Sequence, residues 1–183
     1  AHDDLIVATA GRSYWILDEL NVVREAQAKV EKITLYTPEK ALLGSWGSSM
    51  NGGNLDGFTG THPFQGHNPA NGMVIYYHLP ESFADSTELT LEIFDSEGNL
   101  VRKLSSKKDP DFKSYDGGPS PDPTISTRKG LNRFVWKMRH PGFTDFPGMI
   151  LWTSRNRGVL ALPGAYKAQL IIDGKQQEQG FAI

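Results

Sequence analysis

From residue 73 onward, apolar and polar residues alternate in short runs, and clusters of Pro, Gly, Asn or Asp stop each run. Period-two alternation places successive side chains on opposite faces of a strand, and breakers at this density leave little room for a 3.6-residue helical period. Met73 to Leu79 is one such run, with Val74 and Tyr76 on one face and Ile75 and Tyr77 on the other. In Leu89 to Phe94, Leu89, Leu91 and Ile93 face inward while Thr90, Glu92 and Phe94 face outward. Asp95-Ser96-Glu97-Gly98-Asn99 reads as a hairpin loop with Gly98 supplying a positive φ, and Leu100 to Leu104 returns. Arg133 to Met138 sets Phe134, Trp136 and Met138 on one face. Pro163-Gly164 opens the strand Ala165 to Ile172, Asp173-Gly174 turns it, and Gln176 to Ile183 pairs back. The expected fold is therefore all-β, an antiparallel β-sandwich with long loops.

The first residues carry a different pattern. Leu5 to Thr9 and Tyr14 to Leu17 are apolar runs around the turn Ala10-Gly11-Arg12-Ser13, which reads as a β-hairpin apolar on both faces. Asp18 or Asn21 is placed to cap a short helix reaching roughly Ala28, with Leu20, Val23 and Ala26 near one face. Ile33 to Tyr36 is a further strand, closed by Thr37-Pro38. Residues 44–72 form a long loop ending in the turn Asn68-Pro69-Ala70-Asn71-Gly72, and 105–128 form a second, polar loop. Three units are expected: 1–24, hairpin and short helix; 25–67, connecting strand and long loop; 68–183, the sandwich.

Charge and cysteine content exclude several classes. A formal net charge of -2 without a basic stripe gives no footprint for nucleic acid or an anionic membrane. No apolar run approaches the length of a membrane helix. With no cysteine, disulfides and thiolate metal sites are excluded.

No catalytic constellation stands out. Gly-x-Ser-x-Gly, the nucleophile elbow, does not occur. Asp109, Asp111, Asp116 and Asp122 lie in a loop, where solvated polarity explains them; as paired glycosidase acids they lack an apolar pocket to raise one carboxyl pKa. The same four carboxylates can offer oxygens to a structural Ca²⁺ ion that pins the loop, although their spacing matches no EF-hand. Ser114-Tyr115-Asp116-Gly117-Gly118 begins like the Asp-box turn of neuraminidase repeats but lacks its closing aromatic. His62 and His67, on one Gly-rich loop, do not have zinc spacing, and His2, His78 and His140 are dispersed. Arg155-Asn156-Arg157-Gly158 reads as a solvated turn. The loop aromatics carry more information: Trp46, Phe58, Phe64, Phe143, Phe146 and Trp152 either fill a small satellite core or build a sugar-stacking platform, with Trp46, Phe64, Phe143, Phe146 and Trp152 as the platform candidates.

Several stretches also resemble a known family in the right order. Asp4-Leu5-Ile6-Val7-Ala8-Thr9-Ala10-Gly11-Arg12-Ser13-Tyr14-Trp15-Ile16-Leu17-Asp18 resembles the last repeat of sortilin-like, neuraminidase-repeat β-propellers, bacterial proteins labelled glycosyl hydrolase by analogy. Asn68 to Gly72 with Val74-Ile75-Tyr76-Tyr77, Gly130-Leu131-Asn132-Arg133-Phe134-Val135-Trp136, Pro147-Gly148-Met149 and Leu162-Pro163-Gly164-Ala165-Tyr166 resemble the domain that follows such a propeller. The resemblance implies an immunoglobulin-like or fibronectin-type-III-like sandwich, carried with a propeller remnant, in a secreted, periplasmic or cell-surface bacterial protein. It also implies a piece of a longer chain, without the residues of any propeller catalytic site. The expected role is non-catalytic: an accessory domain that packs on or orients its own propeller. A carbohydrate-binding module is the alternative, and a hydrolase domain is the second alternative. The hairpin Leu5–Leu17 is expected to bury itself on the sandwich or on a second copy of the chain.

Overall fold

The computed structural model describes residues 4–12, 14–17, 19–26, 31–44, 70–84, 86–144, 146, 148–152 and 156–183. Its strands are β1 (Leu5–Ala8), β2 (Tyr14–Leu17), β3 (Thr34–Leu35), β4 (Met73–Leu79), β5 (Leu89–Asp95), β6 (Leu100–Ser105), β7 (Gly130–Trp136), β8 (Ala165–Ile172) and β9 (Lys175–Ala182), with one helix, α1 (Leu20–Glu25), between β2 and β3. All pairings are antiparallel. Among the described residues β1 and β2 pair only with each other, β3-β4-β7 form a three-stranded sheet, and β6-β5-β8-β9 form a four-stranded sheet. The all-β reading therefore holds.

The alternation seen in the sequence becomes the core. Met73, Ile75, Tyr77 and Leu79 point inward from β4, and Leu89, Leu91 and Ile93 point inward from β5. These side chains join Val101, Leu104, Trp136, Ala168, Leu170, Ile172 and Phe181 in one hydrophobic cluster drawn from both sheets. Thr90, on the outward face, is nonetheless buried, because β5 is a central strand and Thr90 lies between Ile171 of β8 and Ser105 of β6.

Turn chemistry sets the register. Asp95 Oδ1 accepts the backbone N–H groups of Glu97 and Asn99 at 2.9 and 2.8 Å, and Gly98 takes a φ of 84°. The Asn99 side chain and backbone together hold the Asp95 carboxyl below the usual carboxylate range. Asp173 and Gly174, with φ of 48° and 71°, close β8 onto β9. Tyr166 donates its hydroxyl back to the Leu162 carbonyl at 2.6 Å.

Three boundaries differ from the sequence reading. β7 ends at Trp136 rather than Met138, because Met138 turns the chain with a φ of 52° while its side chain stays in the core. The helix starts after Glu19, not at Asn21, and ends at Glu25 rather than near Ala28; Asp18 and 27–30 lie outside the described residues. β3 spans Thr34–Leu35, shorter than the expected strand Ile33 to Tyr36, and pairs with β4.

The polar loop 105–128 also reaches inward. Ile125 is buried, and its N–H donates to the Ser105 carbonyl at 3.1 Å. The neighbouring Ser126 carbonyl accepts the Tyr77 hydroxyl at 2.6 Å. Burial pushes the Tyr77 phenol up to about 12. A folded pKa above the unfolded one gives stability that is complete below the unfolded value and is lost as pH rises through the folded value. Stability is therefore expected to fall between pH 10 and about 12, by up to about 1.4 kcal/mol per pH unit from this group. Urea midpoints across that window check this, and Tyr77→Phe should flatten the decline.

Candidate functional site

Every residue of β1 and β2 is exposed. Cross-strand partners share a face, so the register Leu5↔Leu17, Ile6↔Ile16, Val7↔Trp15 and Ala8↔Tyr14 puts Ile6, Ala8, Tyr14 and Ile16 on one side and Leu5, Val7, Trp15 and Leu17 on the other. Both sides are apolar, with Ile6 64%, Tyr14 76%, Trp15 57% and Ile16 59% exposed. The sheets thus do not cover this hairpin, contrary to the first of its two expected coverings. An isolated two-stranded hairpin is at best marginally stable in water. Apolar faces and open edges together characterise strands built for the interior of a larger sheet assembly.

The helix after the hairpin is tied to the three-stranded sheet. Val22 is buried. Asn21 Nδ2 donates to the Thr37 carbonyl at 3.0 Å, and Thr37 N–H donates to Glu25 Oε2 at 3.2 Å. Glu19, with φ 56° and ψ 49°, turns the chain from hairpin to helix, and its N–H donates to Asp4 Oδ1 at 3.3 Å. Tyr76 on β4 lies directly across from Arg133 on β7. Burial, reinforced by the negative charge of Glu19, pushes the Tyr76 phenol up to about 12.

A second surface lies in the connection from β7 to β8. Its neck closes where Arg139 bridges Leu160, Ala161 N–H donates to the Met138 carbonyl at 2.8 Å and His140 N–H donates to that of Val159 at 3.0 Å. Gly158 sits against the carbonyls of His140 and Pro141, where a Cβ would collide with backbone. Beyond the neck, Asn156 Nδ2 holds the Phe143 carbonyl at 2.9 Å, Tyr115 Oη holds that of Met149 at 2.7 Å, and Leu151 N–H donates to the Gly117 carbonyl at 2.7 Å. These bonds tie the connection to loop 105–128 and leave Phe143, Phe146 and Trp152 at 49, 63 and 91% exposure, with Ile150 also exposed. Among the described residues no ring-to-ring contact joins these three aromatics. The other platform candidates, Trp46 and Phe64, lie outside the described residues, as do Phe58, His2, His62, His67 and Arg155.

The four aspartates are not drawn together. Among the described residues no three His, Asp or Glu side chains form a group able to hold a metal. Asp122 pairs with Arg102, and Asp109 Oδ1 accepts the Asp111 N–H at 2.9 Å in a local turn. Asp111 and Asp116 are exposed. His78 lies half-buried on β4.

Comparison with protein-family models, with curated proteins and with solved structures gives no match.

Proposed function

We propose that this chain is a non-catalytic interaction domain that docks, through the β1–β2 hairpin, onto the β-propeller of its own longer, secreted or cell-surface protein. The carrying observation is the hairpin itself: two paired strands, apolar on both faces and exposed throughout. Such a pair gains most by entering a sheet that supplies neighbours at its edges and cover on its faces. The family resemblance of residues 4–18 supports a propeller blade as that sheet.

The body is read as a β-sandwich of the immunoglobulin or fibronectin-type-III kind. Supporting this, the first, second and fifth of its strands share one sheet, while the third, sixth and seventh share the other with the fourth at the edge. The Tyr166 hydroxyl bond to Leu162, at the start of the sixth strand, matches the tyrosine corner of such domains.

Calorimetric titration of the chain with the separately produced propeller portion of its gene product tests the docking. Binding at micromolar concentrations or tighter with a negative heat-capacity change is expected. No binding, or a gene product without such a portion, overturns it. Ultracentrifugation of the chain alone reads the other occupant, a second copy.

One observation favours a second reading, carbohydrate binding. Trp152 stands 91% exposed on a connection held by backbone hydrogen bonds. In that reading Trp152→Ala abolishes retention on immobilised glycans and leaves the urea midpoint unchanged; unchanged retention removes Trp152 from the platform.

A further inference from the structure

A chain running from Pro141 to Gly158 and held only at its neck would sample many poses. The structure fastens this connection a second time, far from the neck. Tyr115 Oη donates to the Met149 carbonyl, and Leu151 N–H donates to the Gly117 carbonyl, both at 2.7 Å. The two bonds bracket Ile150 and join two facing turns. Gly118 N–H closes one turn on the Tyr115 carbonyl at 3.1 Å, and Met149 N–H closes the other on the Phe146 carbonyl at 3.1 Å. Gly117 and Gly148, each third in its turn, take φ of 73° and 84°.

Two adjacent glycines make this close approach possible. A Cβ on Gly117 would lie 3.0 Å from Ile150 Cγ2, and a Cβ on Gly118 would lie 2.7 Å from Tyr115 Cε2. The Ser114–Gly118 stretch, which begins like an Asp-box turn, thus lays its tyrosine ring over Gly118 and its hydroxyl on the connection. The turn is itself held by its loop: Pro119 is buried, Asp122 pairs with Arg102 of β6, and Ile125 is buried with its N–H on the Ser105 carbonyl.

We propose that the Tyr115–Gly118 turn is a clasp that grips the β7–β8 connection at Met149–Leu151 and fixes the pose of Trp152, the next residue along. Tyr115 is a positioning residue: it acts through the Met149 carbonyl and touches no ligand. An exposed ring on a held backbone loses less freedom on binding than one on a mobile loop, so the clasp preorganises the Trp152 surface. Only this last consequence rests on the carbohydrate reading; the clasp is a property of the isolated chain.

Backbone relaxation and amide exchange of the whole chain, read by NMR, test the clasp. In the unmodified chain the Leu151 amide should be protected and the Trp152 backbone order parameter should be about 0.8. Tyr115→Phe keeps the ring over Gly118 and removes the hydroxyl. It should speed Leu151 exchange by about fivefold or more and take the Trp152 order parameter below about 0.6, with Leu91 exchange in β5 unchanged. Gly118→Ala, which drives a methyl into the Tyr115 ring, should do the same by a second route. An unprotected Leu151 amide in the unmodified chain, or no response to Tyr115→Phe, overturns the proposal. So does a rise in Leu91 exchange equal to that of Leu151, which would make the hydroxyl part of the folding unit rather than of a local clasp. The measurement uses no ligand, so a protected Leu151 in a chain that immobilised glycans do not retain counts against the carbohydrate reading alone.

Discussion

Trp136→Ala should lower the unfolding free energy by about 3–5 kcal/mol, seen as a fall in urea midpoint at unchanged slope. The indole is 3% exposed and meets Tyr166 and Phe181 edge-on, at centroid distances of 6.0 and 6.3 Å. Tyr166 and Phe181 in turn stack on each other at 5.8 Å. Trp136 belongs to the three-stranded sheet and the other two rings to the four-stranded sheet, so this trio couples the sheets. Its Nε1 also satisfies the Arg139 carbonyl at 3.0 Å, just where Met138 turns the chain. Alanine would leave a cavity between the sheets and free an acceptor at the neck of the β7–β8 connection. Tyr166→Phe is the matched control: it keeps the ring and loses only the bond to Leu162, a cost of about 1 kcal/mol. A Trp136→Ala loss no larger than that of Tyr166→Phe would contradict the role given to the trio.

The second large effect concerns association rather than folding. Ile6→Lys combined with Ile16→Glu should weaken binding to the proposed propeller partner by about 100-fold or more, as expected when the centre of an apolar interface is lost. Ile6 and Ile16 are direct cross-strand partners, so the new charges attract and the hairpin pairing is kept. One face becomes polar while the other stays apolar. Because neither residue is buried in the chain alone, the urea midpoint should not fall. Undiminished binding by this variant would remove that face from the interface. A large fall in midpoint would show that the hairpin is part of the folding unit.

How far the sequence reveals this arrangement depends on whether the determining contacts are local. The inward series Leu89, Leu91 and Ile93 and the turns at Asp95–Asn99 and Asp173-Gly174 are legible because side-chain alternation and turn geometry act over a few residues. The burial of Thr90 is not legible because a central strand buries outward residues through neighbours that are distant in the chain. The end of β7 is misread because Met138 takes a positive φ that no propensity favours, held there by burial of its side chain. β3 shrinks to Thr34–Leu35 because its length is set by pairing with β4, not by its own composition. At the candidate site, the apolar character of both hairpin faces is plain from Leu5 to Leu17, and the exposed aromatics Phe143, Phe146 and Trp152 are legible as loop residues.

The central claim is that the hairpin is a docking element, completed by strands outside this chain. Amide hydrogen exchange at Leu5–Ala8 and Tyr14–Leu17, followed in the isolated chain and in the longer propeller-containing product proposed above, tests that claim most directly. Exchange within about tenfold of unstructured rates is predicted in the isolated chain, because a lone two-stranded pair opens readily, and slowing by about a thousandfold or more is predicted in the whole product. Equally fast exchange in both would contradict the account, leaving the hairpin without a sheet to join.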